Sequence, residues 1–378
     1  MVNRKFVIIA AAVLILLLIG AYVAYALFYR QTSFSPGTTK KGNEIVIEPE
    51  IINRPVPLSQ KKVLAPTVDA SEKKVKYYSK SEGNIYEVNF DGSNLSRISS
   101  ANLAGLLQVF WAPNKEKIVG VFQENETIKK YLHDYQGGQS IRLNEKINQV
   151  AWSPDSSRIA VESANSDTKT NVISTADAGG DNFKNIFQTR INDLVLEWPT
   201  LDKLSVRTKT SGLSEGLLIT VNPDSGSFNS VLHGIYGLNA KWFPLGDKVL
   251  YSATTNEGKD IKLFTANQNG QEVKDIGAAT LIEKCAFSQD DRTLFCAIPQ
   301  RLSRNAVWPD DYYKGLVTTR DDFWKINLET GTKTQIFNSG PDARDYNYDA
   351  IDIFLSPKEN YLIFVNKKDG LLYSLKTE

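Results

Sequence analysis

Ala151-Trp152-Ser153-Pro154-Asp155-Ser156-Ser157-Arg158-Ile159-Ala160 decides the fold. It reads as a β-strand ending in an aromatic residue, a tight turn, and a second strand that opens on β-branched Ile159. The same grammar recurs along most of the chain. With Trp152 as the anchor, the equivalent positions are Val68, Trp111, Trp198, Trp242, Phe287 and Leu355; in chain order the seven anchors lie 43, 41, 46, 44, 45 and 68 residues apart. The copy at Trp198 has the shortest turn. A period in the low forties with strand–turn–strand content is that of a four-stranded propeller blade, and it is too long for ankyrin, tetratricopeptide or leucine-rich repeats.

Third apolar strands follow the anchors, as at residues 85–88, 217–221, 262–264 and 323–326. Glycine turns come next: Asp91-Gly92, Gly137-Gly138, Gly179-Gly180, Ser225-Gly226, Asn269-Gly270 and Thr330-Gly331. Glycine supplies the positive φ that two-residue hairpins demand. Fourth strands complete the quartets, as at residues 140–143 and 334–337. The expected fold is all-β: a seven-bladed β-propeller of four-stranded blades over residues 63–378, with six or eight blades as the alternatives. The last quartet has three strands before Glu378, and an open ring would expose an unpaired strand edge. Residues 44–52 are expected to supply the missing outer strand, with Pro49 at an edge where no ladder N–H is needed.

The string from Trp152 to Ala160 resembles the WD-like repeat of TolB-type propellers, and related repeats occur in the propeller domains of prolyl oligopeptidases. The resemblance runs from about Val63 to the C-terminus and bears on fold. Most copies lack the Asp-Gly turn of that repeat; Pro154-Asp155 keeps its Pro-Asp part. The WD dipeptide and Gly-His signature of eukaryotic WD-repeat proteins are absent. The anchors read as core between blades, and the turn carboxylates as solvated. The resemblance implies protein–protein contacts at a cell envelope and names no partner. Hydrolase activity is not expected, because no hydrolase domain follows the last blade.

Residues 6–29 form a run of 24 without a charge, preceded by Arg4 and Lys5 and followed by Arg30. As a helix it would be about 36 Å long, enough to cross a hydrocarbon core of about 30 Å. Tyr22, Tyr25 and Tyr29 suit the outer interface. Residues 1–30 therefore read as a cytoplasmic tip and transmembrane signal anchor. The N-terminus lies inside and the propeller outside the cytoplasm, as a single-pass protein of the cell membrane. A cleaved signal peptide, giving a secreted or periplasmic protein, is the alternative, because Ala24-Tyr25-Ala26 is a small-x-small string. Residues 31–62 read as an extended stalk.

Cys285 and Cys296 are the only cysteines. They fall on neighbouring strands of the sixth repeat, where a turn about residues 289–292 sets them opposite one another. Opposed Cβ atoms lie about 4.5–5.5 Å apart, within reach of a disulfide. A disulfide in turn implies an oxidising compartment.

Net charge is +1, so nothing in bulk electrostatics favours a nucleic acid partner. His133 and His233 are the only histidines and lie in different repeats, so neither a metal site nor a cofactor is expected. Gly212-Leu213-Ser214-Glu215-Gly216 matches G-x-S-x-G, but it lies between strands rather than at a strand-to-helix elbow, and it reads as a hairpin loop. No catalytic residue is assigned. The informative departure is the long spacing of the sixth repeat. Residues 299–320 contain Trp308, Asp310, Asp311, Tyr312 and Tyr313, and residues 341–349 contain Arg344, Asp345, Tyr346 and Tyr348. Both loops should emerge on one face of the ring, beside the mouth of the axial channel. Their aromatics either pack down to hold the loop or contact a ligand. The expectation is a protein-binding or scaffold module of the envelope. The alternatives are a glycan- or peptide-acting enzyme or small-ligand binder at that face, and a rigid spacer.

Overall fold

Seven antiparallel four-stranded sheets succeed one another through residues 53–99, 102–340 and 346–378, which the computed structural model describes. Blade one runs from Val63–Val68 to Ser96–Arg97, blade two from Leu106–Trp111 to Gln139–Arg142, and blade three from Ile147–Trp152 to Lys184–Thr189. Blade four runs from Leu194–Thr200 to Phe228–Tyr236, blade five from Asn239–Trp242 to Lys274–Asp275, and blade six from Cys285–Phe287 to Lys333–Phe337. Within these six blades strand order equals chain order, so each is a meander. The count is seven, as the period predicts.

Blade seven closes the ring. It takes Ala350–Leu355, Tyr361–Asn366 and Leu372–Lys376 from the C-terminus and its outer strand from Val56–Pro57. Val56 pairs with Ser374 and Pro57 with Tyr373. Leu58 follows, fully buried, and donates its N–H to Leu372 O at 2.7 Å. Closure by an N-terminal outer strand is as expected, but the position predicted for residues 44–52 is held by Val56–Pro57. The edge argument made for Pro49 belongs to Pro57. Residues 1–52, which include the expected anchor, lie outside the described residues. Among the described residues no helix is long and apolar enough to cross a membrane.

Trp152, Trp198 and Trp242 are buried as core between blades, whereas Val68, Trp111, Phe287 and Leu355 are half-buried. Trp152 packs on Ala112, Val119 and Leu132 of blade two, and its Nε1 donates to Phe110 O at 3.0 Å. Trp198 packs on Ala151, Ala160 and Ile173 of blade three, and Trp242 on Leu218, Val231 and Leu232 of blade four.

The turn after each anchor has one backbone in six copies. The residue four past the anchor takes a positive φ: Glu72, Lys115, Ser156, Gly246, Asp291 and Glu359. Its N–H donates three residues back, as Ser156 does to Ser153 O at 2.9 Å. In three copies its side chain also accepts an N–H from the preceding blade's turn. Ser156 Oγ accepts from Asn114 N at 3.0 Å, Asp291 Oδ2 from Leu245 N at 3.1 Å, and Glu359 Oε1 from Gln289 N at 2.6 Å. Not every turn carboxylate is therefore solvated. Asp291 is buried between blades, and Asp69 is buried under the N–H groups of Lys73 and Lys74.

At Gly246 the same slot faces the shortened turn of blade four, and an added Cβ would collide with Thr200 Cγ2. Gly246→Ala is expected to cost about 2–4 kcal/mol, from left-handed strain plus overpacking. Gly331→Ala, at a similar φ in open space, is expected to cost about 1 kcal/mol. Urea unfolding of the two variants checks the difference.

Candidate functional site

The strand Thr293–Pro299 of blade six is followed by a long insertion before Asp321–Asn327. Its middle forms one helical turn, Asp310–Tyr313. The insertion is a strap across the loop face, tied to three other blades. On blade four, Asp310 accepts from Ser211 Oγ at 2.9 Å and from Gly212 N at 2.7 Å. On blade five, Trp308 N donates to Gly258 O at 2.7 Å. On blade seven, Tyr312 OH donates to Asp349 Oδ1 at 2.6 Å, and Lys367 Nζ donates to Tyr312 O at 2.6 Å while standing 3.4 Å from its ring centre. Gly212 is needed for this contact, since a Cβ there would collide with Trp308 O. The G-x-S-x-G string is thus a hairpin loop that receives the strap.

The predicted site residues take several different roles. Trp308 and Tyr312 are 2% and 1% exposed and pack with Ile261, Leu281 and Ala306, so they hold the strap rather than face solvent. Asp310 and Asp311 accept backbone N–H groups, Asp311 from Val307 N at 2.8 Å. Tyr313 is 45% exposed, accepts from Asn239 Nδ2 at 3.0 Å and donates to Glu283 Oε2 at 3.3 Å. The two loops do meet, through Tyr312 and Asp349. Tyr346 and Tyr348, however, join Phe323, Phe337, Phe364 and Tyr373 in an aromatic cluster at the seam of blades six and seven. Their rings fill that seam instead of the mouth. Arg344 and Asp345 lie outside the described residues.

Under the strap, inner strands carry charge toward the axis. Glu197 and Lys241 stand one residue before the anchors Trp198 and Trp242. Lys241 attracts Glu197, Asp352 of blade seven and Glu283 of blade six, and Arg207 attracts Tyr313, Glu197 and Glu283. Burial pushes the Glu197 carboxyl up to about 7, against the pull of Lys241 and a hydrogen bond from Trp242 N. Burial also raises Glu283 and Asp352, and lowers Lys241 and Arg207. The sequence signal was present: a charged residue at the position before the anchor, where other copies carry Phe110, Ala151 and Ala286.

Between the strap and blade four opens a cleft of about 670 Å³. Asp193, Glu215 and Asp310 line it with Lys209, Lys314 and Tyr313. Of these, only Asp310 and Tyr313 come from the residues singled out in the sequence. Asp193 and Lys209 sit on ordinary loops and Lys314 at the strap's far end, with no local pattern to mark them; Glu215 opens a strand inside the G-x-S-x-G string, where the motif drew attention to Ser214 instead. Among the described residues no group of three or more His, Cys, Asp or Glu is placed to hold a metal ion. Ser214 makes no hydrogen bond to a histidine; His133 Nδ1 contacts Ser140 Oγ at 2.8 Å in blade two, and His233 lies on the outer strand of blade four. Cys285 and Cys296 are paired in register and joined as a disulfide.

No protein-family model matches the chain, and no curated protein matches it. Solved structures do. It resembles oligogalacturonate lyase from Vibrio parahaemolyticus at 11% identity, over 86% of this chain and 94% of that one, with a TM-score of 0.60. It also resembles the β-propeller domain of the Trilobed protease from Pyrococcus furiosus at 12% identity, over 84% and 97%, with a TM-score of 0.55. TolB from Acinetobacter baumannii matches at 14% identity, over 74% and 64%, with a TM-score of 0.46. What they share is the propeller. At these identities the likeness is one of fold.

Trp308→Ala is expected to cost about 3–5 kcal/mol as a buried large-to-small change. Thermal unfolding, with proteolysis mapped to residues 300–318, checks it. Glu197→Gln tests the channel. Because the folded carboxyl titrates above its ordinary value of 4.5, ionising it weakens the fold progressively as pH rises from about 4.5 to 7. The glutamine variant should match the wild type below pH ~5 and be the more stable above pH ~7. Melting temperatures at the two pH values decide it.

Proposed function

We propose that this chain is a membrane-anchored propeller that lies outside the cytoplasm and binds a protein partner in the cleft between the strap and blade four. The observation that carries this reading is the cleft itself. Carboxylates and ammonium groups both line it, on backbone that hydrogen bonds hold down, with half-exposed Tyr313 among them. A wide site of mixed charge with an aromatic at the rim suits a polar stretch of protein surface. It offers no continuous basic surface for nucleic acid. Two features support the location: the uncharged run at residues 6–29, and the disulfide, which persists in oxidising compartments.

An enzyme at the same face is the second reading, and one observation favours it. Glu197, Arg207, Lys241 and Glu283 converge from blades four, five and six, and burial lifts both carboxyls. A carboxyl raised by burial is one thing a general acid requires. The cations in the same cluster serve equally to balance charge around the axis. A rigid spacer would need neither feature.

The test is a crosslinking pull-down from intact membranes with the full chain and with Lys209→Glu plus Lys314→Glu. Deleting the strap would remove Trp308 and Tyr312 and uncover Ile261 and Leu281 beneath them, so charge reversal is the cleaner change. The double variant is expected to melt like the wild type and to lose the captured partner. Undiminished capture would remove the cleft from the reading.

A further inference from the structure

Beneath Tyr312 lies Lys284, with no exposed surface. Its Nζ stands 2.7 Å from Asp321 Oδ2 and 2.7 Å from Asp349 Oδ1, with Thr319 Oγ1 at 2.9 Å and Ala350 O at 3.0 Å. Both aspartates are fully buried as well. One ammonium faces two carboxylates in direct contact, and the nearest further cations, Lys367 and Lys368, act on them only from the rim, so burying the second carboxylate is costly.

The two carboxyls are held differently. Asp349 accepts from Tyr312 OH at 2.6 Å, Thr319 Oγ1 at 2.9 Å and Thr319 N at 3.1 Å. Asp321 Oδ2 accepts from Ala350 N at 2.8 Å, and Asp321 Oδ1 has no hydrogen-bond partner. Burial pushes the Asp321 carboxyl up. In Asp349 the same push is outweighed by Lys284 and by the hydrogen bonds from Tyr312 and Thr319, which hold it low. Asp349 is thus surrounded by donors, and Asp321 keeps a free site for a proton.

We propose that this triad modifies itself, joining Lys284 Nζ to Asp349 Cγ in an amide bond. Asp321 takes a proton from the ammonium it touches, and the freed lone pair attacks Cγ. The donors from Tyr312 and Thr319 stabilise the charge that gathers on the Asp349 oxygens. The Cγ–O bond then breaks. The two protons lost by nitrogen leave with that oxygen as one water, and Asp321 ends as it began. Ammonium plus carboxylate becomes amide plus water, so charge and atoms balance without oxidant or cofactor. Permanent contact in a water-poor site supplies the driving proximity. The product removes two buried charges. It also links the residue before the inner strand of blade six to the residue before that of blade seven, beside the Cys285–Cys296 disulfide. This proposal is independent of the partner reading.

Peptide mapping of the full wild-type chain, reduced and alkylated, tests it. With the amide formed, trypsin no longer cuts after Lys284, and residues 275–292 travel joined to residues 345–358, one water lighter than their sum. Recovery of residues 275–284 and 345–358 as separate unmodified peptides would overturn the proposal. In Asp321→Asn the branched peptide is expected to disappear. Its persistence there would overturn the role given to Asp321.

Discussion

The turn that follows each anchor is the constraint on which the ring rests. A blade is a twisted four-stranded sheet that cannot bury both faces alone. It becomes stable by setting its anchor on the sheet before it, and the turn fixes where that anchor points. A residue with positive φ four places on makes the turn tight. Glycine would serve, yet five of the six such copies carry a side chain, at Glu72, Lys115, Ser156, Asp291 and Glu359. In Ser156, Asp291 and Glu359 that side chain accepts an N–H from the neighbouring turn, which offsets the backbone strain. Where the turn of blade four is shorter, glycine returns at position 246, because there is no room for a Cβ.

The sixth repeat departs from this economy, and the shape of the loop face follows from the departure. Its insertion crosses the ring and is fastened by Asp310, Trp308 and Tyr312 to blades four, five and seven. The side chains that look most like recognition residues, Trp308 and Tyr312, are those spent on fastening. A loop this long loses much conformational entropy when ordered, and large buried aromatics offset that loss. The polar groups left exposed around the fastened loop make the cleft. Beneath it, Lys284, Asp321 and Asp349 form a charged centre that any description of this seam must account for.

The fold was legible because a β-propeller repeats its instructions. Seven anchors, six of them 41–46 residues apart and the last after a longer step of 68, each with a turn and each followed by apolar strands, gave the architecture, the blade count and the opposed cysteines. Closure was legible only in kind. The missing strand had to come from upstream of blade one, and edge logic called for a proline. The segment chosen, residues 44–52, had the stronger β pattern, whereas the strand in the ring is the short Val56–Pro57. Leu58 anchors this strand: it is buried in one cluster with Leu372 and Val63 and donates its N–H to Leu372 O.

What the sequence by itself determined is therefore what is local or periodic: strands, turns, the ring, and the register that pairs Cys285 with Cys296. Tertiary structure alone decided which loop residues face solvent, and which charges meet. Asp193, Lys209, Glu215 and Lys314 come together at the cleft, as Glu197, Lys241, Glu283 and Asp352 do toward the axis, from segments far apart in the chain. Lys284, Asp321 and Asp349 likewise meet only when blades six and seven close on each other. Periodicity fixes the place of each residue within its own blade. The meeting of charges depends on how the blades are arranged around the axis, and no local pattern records it.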